Sequence, residues 1–307
     1  MRQWFNNLQI DWLGKTKYFV AGSLAMFLLG VFAVYQDGGP LLGIDFKGGT
    51  LVYVRFAQAP NIDQIRNGLA SQGLADASIQ TVRDINNPGV HEVMIAIEQK
   101  GRAEEALDAG RNAILAALRN TYAGQGAFEV RKAEVVGPRV AGQLQQQAIW
   151  ATLYALGGML LYIALRFEWV YGTAAVIAVF HDVIITVGFM SLFNYEISLT
   201  VIAALLTLVG YSMNDTIVIF DRMRENLRLM RRESLATIAN TSINQTLSRT
   251  FLTSGLTFLT VLVLYLLGGE VLRAFSFALV VGVVIGSYST VGIAAALVVA
   301  WDKWKTA

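Results

Sequence analysis

Residues 197–220 read ISLTVIAALLTLVGYSMNDTIVIF, an apolar run interrupted by a single charge, Asp215. About 20 such residues, at roughly 1.5 Å of rise each, suffice to cross a bilayer as a helix. Working outward, five further tracts of this kind lie at Tyr18–Tyr35, Ala148–Leu165, Val170–Phe193, Phe251–Leu267 and Ala274–Ala300. Of these five, only Val170–Phe193 carries an acidic, basic or histidine residue, namely His181 and Asp182. Charged residues make up 15 % of the chain, against roughly 25 % in soluble domains. The sequence therefore predicts an α-helical membrane protein of six spans. The first tract is longer than the core of a signal peptide and no small-x-small cleavage site follows Tyr35, so it reads as an uncleaved anchor.

Charge placement predicts the orientation. With the N-terminus inside, Arg2, Lys15, Lys17, Arg166, Arg222, Arg224, Arg228, Arg231, Arg232, Arg249, Lys303 and Lys305 fall on the cytosolic side. The short outside loops hold only Arg273. That asymmetry is the positive-inside pattern, so both termini are expected inside, with the Arg222–Arg232 cluster as a topology anchor rather than a nucleic-acid patch. The chain contains no cysteine, which excludes disulfides and thiolate chemistry.

Three parts follow: residues 1–35 with the first span, a folded outside domain at 36–143, and a five-helix bundle at 144–307 with a cytosolic loop at 221–250. In the domain, Thr50–Ala57 alternates as a strand, with Val52, Val54 and Phe56 on one face. Asn61–Ser71 reads as a helix with Ile62, Ile65 and Leu69 inward. Ala77–Asp84 and Val90–Glu98 read as strands joined by a turn at Asn86–Gly89. Arg102–Asn120 is a second helix, with Ala106, Leu107, Ile114, Leu115 and Leu118 as its buried stripe, and Phe128–Val136 a last strand. The order β-α-β-β-α-β is the split pattern of ferredoxin-like folds. Between Gln36 and Gln143 there are 11 Lys/Arg against 12 Asp/Glu, so nucleic acid is not an expected partner. His91 has no second ligand nearby, and no metal is expected. Gly43–Thr50, ahead of the first strand, reads either as a connector in which Asp45 bonds local backbone or as a docking or hinge segment at the membrane surface. It lacks the context of a phosphate loop.

Ionisable residues inside spans are costly and mark ion or proton paths. Asp182 falls roughly 17 Å into its span and Asp215 roughly 9 Å from the cytosolic charges. Thr207, Tyr211 and Asp215 share a helix face at i, i+4 and i+8, with Asn214 beside them. Thr246, Arg249, Thr250, Thr253, Thr257 and Thr260 form a helical stripe in the fifth span, which either relays protons or packs against its neighbours. An ion pair between Arg249 and Asp215 is expected. Desolvation favours a neutral carboxylate and a guanidinium favours a charged one, so helix shifts that bring such a pair together or apart would move protons. His181 and Asp182 point about 100° apart and are not expected to form a tidy dyad. Gly282–Gly286 is a small-xxx-small packing motif.

The segment Val209–Asn226 resembles the signature of the SecF family of bacterial protein-export membrane subunits. Gly43–Thr50 agrees with the same family, as do Arg166–Trp169 with His181–Thr186, and Ser248–Thr250 with Thr253–Gly255. The resemblance spans nearly the whole chain, in order. It implies half of a resistance-nodulation-division (RND) type bundle in the inner membrane, with a periplasmic domain and no cofactor or enzymatic activity. It further implies association with SecD and the SecYEG channel, and use of the proton-motive force for late export of unfolded preproteins. The family's transport-critical acid and arginine map onto Asp215 and Arg249. Lys47 departs from the small hydroxyl residue often found there, and the long polar tail of some relatives does not follow the last span. Two other readings are a half-transporter for a small molecule or lipid, and an intramembrane aspartyl protease using Asp182 and Asp215.

Overall fold

The computed structural model describes residues 10–36, 38–83, 91–98, 107–122 and 128–306. The expected turn at 86–89 and the start of the second domain helix at 102–106 lie outside them. The first long helix, α1, spans Thr16–Gln36, and a short helix, α2, spans Ile44–Lys47. The domain continues with β1 (Gly49–Phe56), α3 (Ile62–Ser71), β2 (Ser78–Arg83), β3 (His91–Glu98), α4 (Leu107–Thr121) and β4 (Phe128–Val136).

Asn61 starts α3 by accepting from the amides of Asp63 and Gln64, which are otherwise orphaned in a first turn. The strands form one antiparallel sheet in the order β2-β3-β1-β4, with a bulge in the β1–β4 register at Tyr53/Val54. This is the expected split arrangement, with β1 and β3 central. Val52, Val54 and Phe56 of β1 and Val93, Ile95 and Ile97 of β3 share a core with Ile65, Leu69, Ile114, Ala117 and Leu118. Period-two alternation puts these strand residues on one face, and that face meets both helices. The opposite face is mixed: Leu51 and Ala96 are buried at one end of it, while at the other Arg55 pairs with Glu92 at 2.8 Å and Arg131 lies 3.9 Å from the same carboxylate.

Five helices complete the membrane part: α5 (Pro138–Arg166), α6 (Trp169–Leu192), α7 (Leu199–Leu229), α8 (Leu235–Leu267) and α9 (Glu270–Ser289), the last continuing through a π turn at Thr290–Ala294 into α10 (Ala295–Thr306). Six helices or helical runs are long and apolar enough to cross a membrane. Several helices outrun the apolar tracts. Residues 221–250, expected as a loop, are helical except for 230–234, because polar residues outside the hydrocarbon continue α7 and α8. Pro138, at the first helical position that tolerates its missing N–H, starts α5 directly after β4.

Helices α6, α7 and α9 form the buried centre, while α1, α5 and α8 leave much of their apolar surface exposed, as suits lipid solvent. The Gly282–Gly286 motif packs α9 on α7. A Cβ at Gly282 would lie 2.5 Å from Leu208 Cδ2, and one at Gly286 3.2 Å from Ser212 Cβ. Two small residues one turn apart thus let α9 approach α7 at Leu208 and Ser212.

Candidate intramembrane carboxylate sites

Helix α7 carries the polar residues that organise the bundle, and its neighbours receive them separately. Asp215 is buried and accepts a hydrogen bond from Ser254 Oγ of α8 at 2.8 Å. Asp182 of α6 is fully buried and accepts from Ser212 Oγ of α7 at 2.5 Å. One turn along, Thr216 and Thr290 bring their hydroxyls within 3.1 Å, joining α7 to the π turn. Two carboxylates therefore sit on two interfaces, each held by a serine from the facing helix. Among the described contacts the two carboxylates have different partners, Ser212 for Asp182 and Ser254 for Asp215.

The expected Asp215–Arg249 ion pair is not among the contacts of the described residues. Arg249 is exposed on α8, and its charge acts on Asp215 through space. The cause is helical phase. The buried face of α8 runs through Thr246, Thr250 and Ser254, and Arg249 lies beside that line rather than on it. The hydroxyl stripe divides accordingly. Thr246, Thr253 and Thr260 donate to carbonyls of their own helix, and Thr253 also reaches the Asp215 carboxylate of α7.

His181 and Asp182 do touch, contrary to the phase argument: His181 Nδ1 lies 2.9 Å from Asp182 Oδ1. The flexible side chains close an angle that the backbone opens. Tyr211 is partly buried, while Asn214 and Thr207 face outward from α7. Three buried polar atoms have no hydrogen-bond partner among the described residues: His181 Nε2, Tyr211 Oη and Thr250 Oγ1. All three flank the two carboxylate sites in sequence.

Ser212 and Ser254 are carboxylate partners that the sequence does not single out. Helical spacing points to them, since Ser254 lies at i+4 from Thr250 and Ser212 three residues before Asp215. Asp45 is a third. Its carboxylate accepts from the amide of Leu199, at the start of α7, rather than from local backbone. No group of three or more potential metal-ligating residues occurs among the described residues.

A six-span bundle with carboxylates buried at its central helices, joined to a small split-βαβ domain, defines a polytopic protein of the transport class. Residues 116–304 match the family described as protein export membrane protein SecD/SecF, C-terminal, and residues 42–60 match the SecD/SecF GG motif. A protein translocase subunit SecF from Koribacter versatilis is 47 % identical, covering 98 % of this chain and 94 % of its own length. The SecF of Calditerrivibrio nitroreducens is 43 % identical, covering 95 % and 94 %. The crystal structure of SecDF from Thermus thermophilus, described as a translocon-associated membrane protein, superposes with a TM-score of 0.84 at 37 % identity. It covers 98 % of this chain, which spans only 40 % of that longer one. A SecDF structure in a super-membrane-facing form superposes at 0.70. The chain belongs to the SecF family of protein translocase subunits, and its work is protein export in the Sec pathway.

Proposed function

We propose that this chain couples the proton-motive force to late-stage export of unfolded preproteins, acting with SecD at the SecYEG channel of the bacterial inner membrane. The observation that carries the reading is Asp215: a carboxylate buried in a membrane helix, held by Ser254 with Thr253 beside it, and with an arginine nearby but not paired to it. Opposite charge stabilises an ionised carboxylate and desolvation destabilises it, so a change in the distance to Arg249 changes proton affinity. Each charge that crosses is worth about 2.3 kcal/mol per 100 mV. The His181–Asp182–Ser212 cluster supplies a second candidate proton site, and the unpartnered atoms of His181, Tyr211 and Thr250 can accept a moving partner without breaking an existing bond. The chain performs no chemical conversion in this reading. Its sheet domain lies in the periplasm and both termini in the cytosol, in keeping with the positive-inside pattern.

The test is export of a preprotein in membrane vesicles with and without a proton gradient. Asp215→Asn and Arg249→Met should each abolish the gradient-dependent part of export. Undiminished gradient dependence in both variants would end the proposal.

A further inference from the structure

The sheet domain meets the bundle at the end of the helix that holds Asp215. The chain enters the domain through residues 41–49 and leaves it at Pro138. Gly48, with φ of 74°, packs the two paths together, since a Cβ there would lie 3.2 Å from Pro138 Cα. Gly49 then enters β1 so close to β3 that a Cβ would collide with the Ile97 carbonyl oxygen. Only glycine fits both positions, which is the physical content of the paired-glycine motif.

Three kinds of contact run from this segment to the start of α7. The Gly43 amide donates to the Ile197 carbonyl at 3.0 Å, and the Ile197 amide donates to the Leu41 carbonyl at 2.6 Å. Leu42 and Phe46 pack against the apolar cluster of Ile197, Val201 and Leu205 at this end of the bundle. The Leu199 amide donates to Asp45 Oδ2 at 2.8 Å. Leu199 is the first residue of α7, so its amide is one of the four that a helix leaves without an internal acceptor. Ser198 serves Val201 in the same turn. A carboxylate at this end also meets the positive pole of the helix dipole. An acid carried by the domain thus caps a membrane helix 154 residues away in sequence.

We infer that Asp45 is a positioning residue that ties the sheet domain to α7, so that displacement of α7 at Asp215 reaches the domain through this joint. Asp215 lies about 24 Å further along the same helix, and a continuous helix carries an axial shift over that length. The Asp45 cap and the Leu42–Phe46 plug pass it to α2, and Gly48–Gly49 pass it to β1. As an inner strand bonded to both β3 and β4, β1 takes the whole sheet with it. This inference rests on the proton-coupling reading of Asp215 and assigns the step after it.

The experiment measures gradient-driven proton uptake and preprotein export in the same membrane vesicles, containing this chain with its SecD partner and the channel. Asp45→Ala should keep proton uptake within about twofold of wild type while gradient-dependent export falls about tenfold or more. Asp45→Asn keeps an acceptor oxygen but loses the charge, and should fall between. Hydrogen exchange at the α7 amides 199–202 should speed up in both variants while that of Val52 and Val54 in the domain core stays unchanged. Export at wild-type level in Asp45→Ala would overturn the inference. So would loss of proton uptake together with export in a variant whose domain core exchanges normally. Where Asp45→Ala does not accumulate in the membrane, Asp45→Asn decides by the same split. Asp215→Asn is the separate control: gradient dependence that survives there sinks the proton reading itself, whatever Asp45 does.

Discussion

Three acids show what one residue can and cannot announce from sequence. Asp182 and Asp215 stand out because a charge in an apolar span is expensive. Their partners do not, because a serine in a membrane helix carries no charge and resembles any small residue. Asp45 stays undecided for a related reason, since its glycine-rich surroundings fit a local turn as well as a docking segment and only the fold brings Leu199 to it. Glu196, in the connection before α7, completes that neighbourhood. Gln80 Nε2 donates to its Oε1 at 3.4 Å. Burial pushes the Glu196 carboxyl above its ordinary value of 4.5, Lys47 opposes this, and Asp45 adds to it. The docked joint therefore holds the Glu196 proton more tightly than the undocked one, and docking weakens as pH rises from about 4.5 through the raised value. Glu196→Gln should remove this dependence. Protection of the Gly43 and Ile197 amides, corrected for intrinsic exchange, should fall with pH in the wild type and stay flat in the variant. Equal slopes would show that Glu196 does not load the joint.

At the scale of elements, the apolar tracts mark where helices cross the hydrocarbon but not where they end. Polar residues at 221–229 and 235–250 continue α7 and α8 beyond that layer, joined there by Asn226 donating to Ser242 at 2.8 Å and to Gln245 at 2.9 Å. Hydropathy responds to solvent, not to backbone hydrogen bonding, so such extensions are invisible to it. The strands are legible because alternation fixes which face is buried, and the core at Val52, Val54 and Phe56 follows it. The small-xxx-small motif is legible as packing, and the structure supplies its partners, Leu208 and Ser212. Gly282→Leu should therefore force α9 from α7 and cost about 1–3 kcal/mol, the range for overpacking a close-packed interface. Gly157 of α5 is the control, because a Cβ added there would meet nothing within 4 Å. Thermal unfolding in detergent should show Gly282→Leu melting lower and Gly157→Leu unchanged. Equal melting temperatures would mean that α9 and α7 yield without loss.

At the scale of the molecule, α7 lies at the centre of the bundle and yet has one bare side. Ala203, Thr207, Gly210 and Asn214 are exposed along it at offsets that keep them on a single face. All are small or polar, unlike the leucines and valines exposed on α1 and α8. Lipid gains nothing from such a face, and an asparagine amide in hydrocarbon is costly, whereas a second helix packs closely on small residues and bonds the amide. The chain spans 40 % of the SecDF it resembles, which leaves a partner of comparable kind to supply that helix. SecD is the partner that the fused relative points to. Gly210→Leu should block close approach and strongly reduce co-purification with SecD. Asn214→Leu should weaken it by about 0.6 kcal/mol and at most about 1.7 kcal/mol, the measured range for polar contacts between membrane helices. The isolated chain should lose no thermal stability from either change, because neither side chain is packed within it. Undiminished co-purification of both variants would assign this face to lipid and place the SecD contact elsewhere.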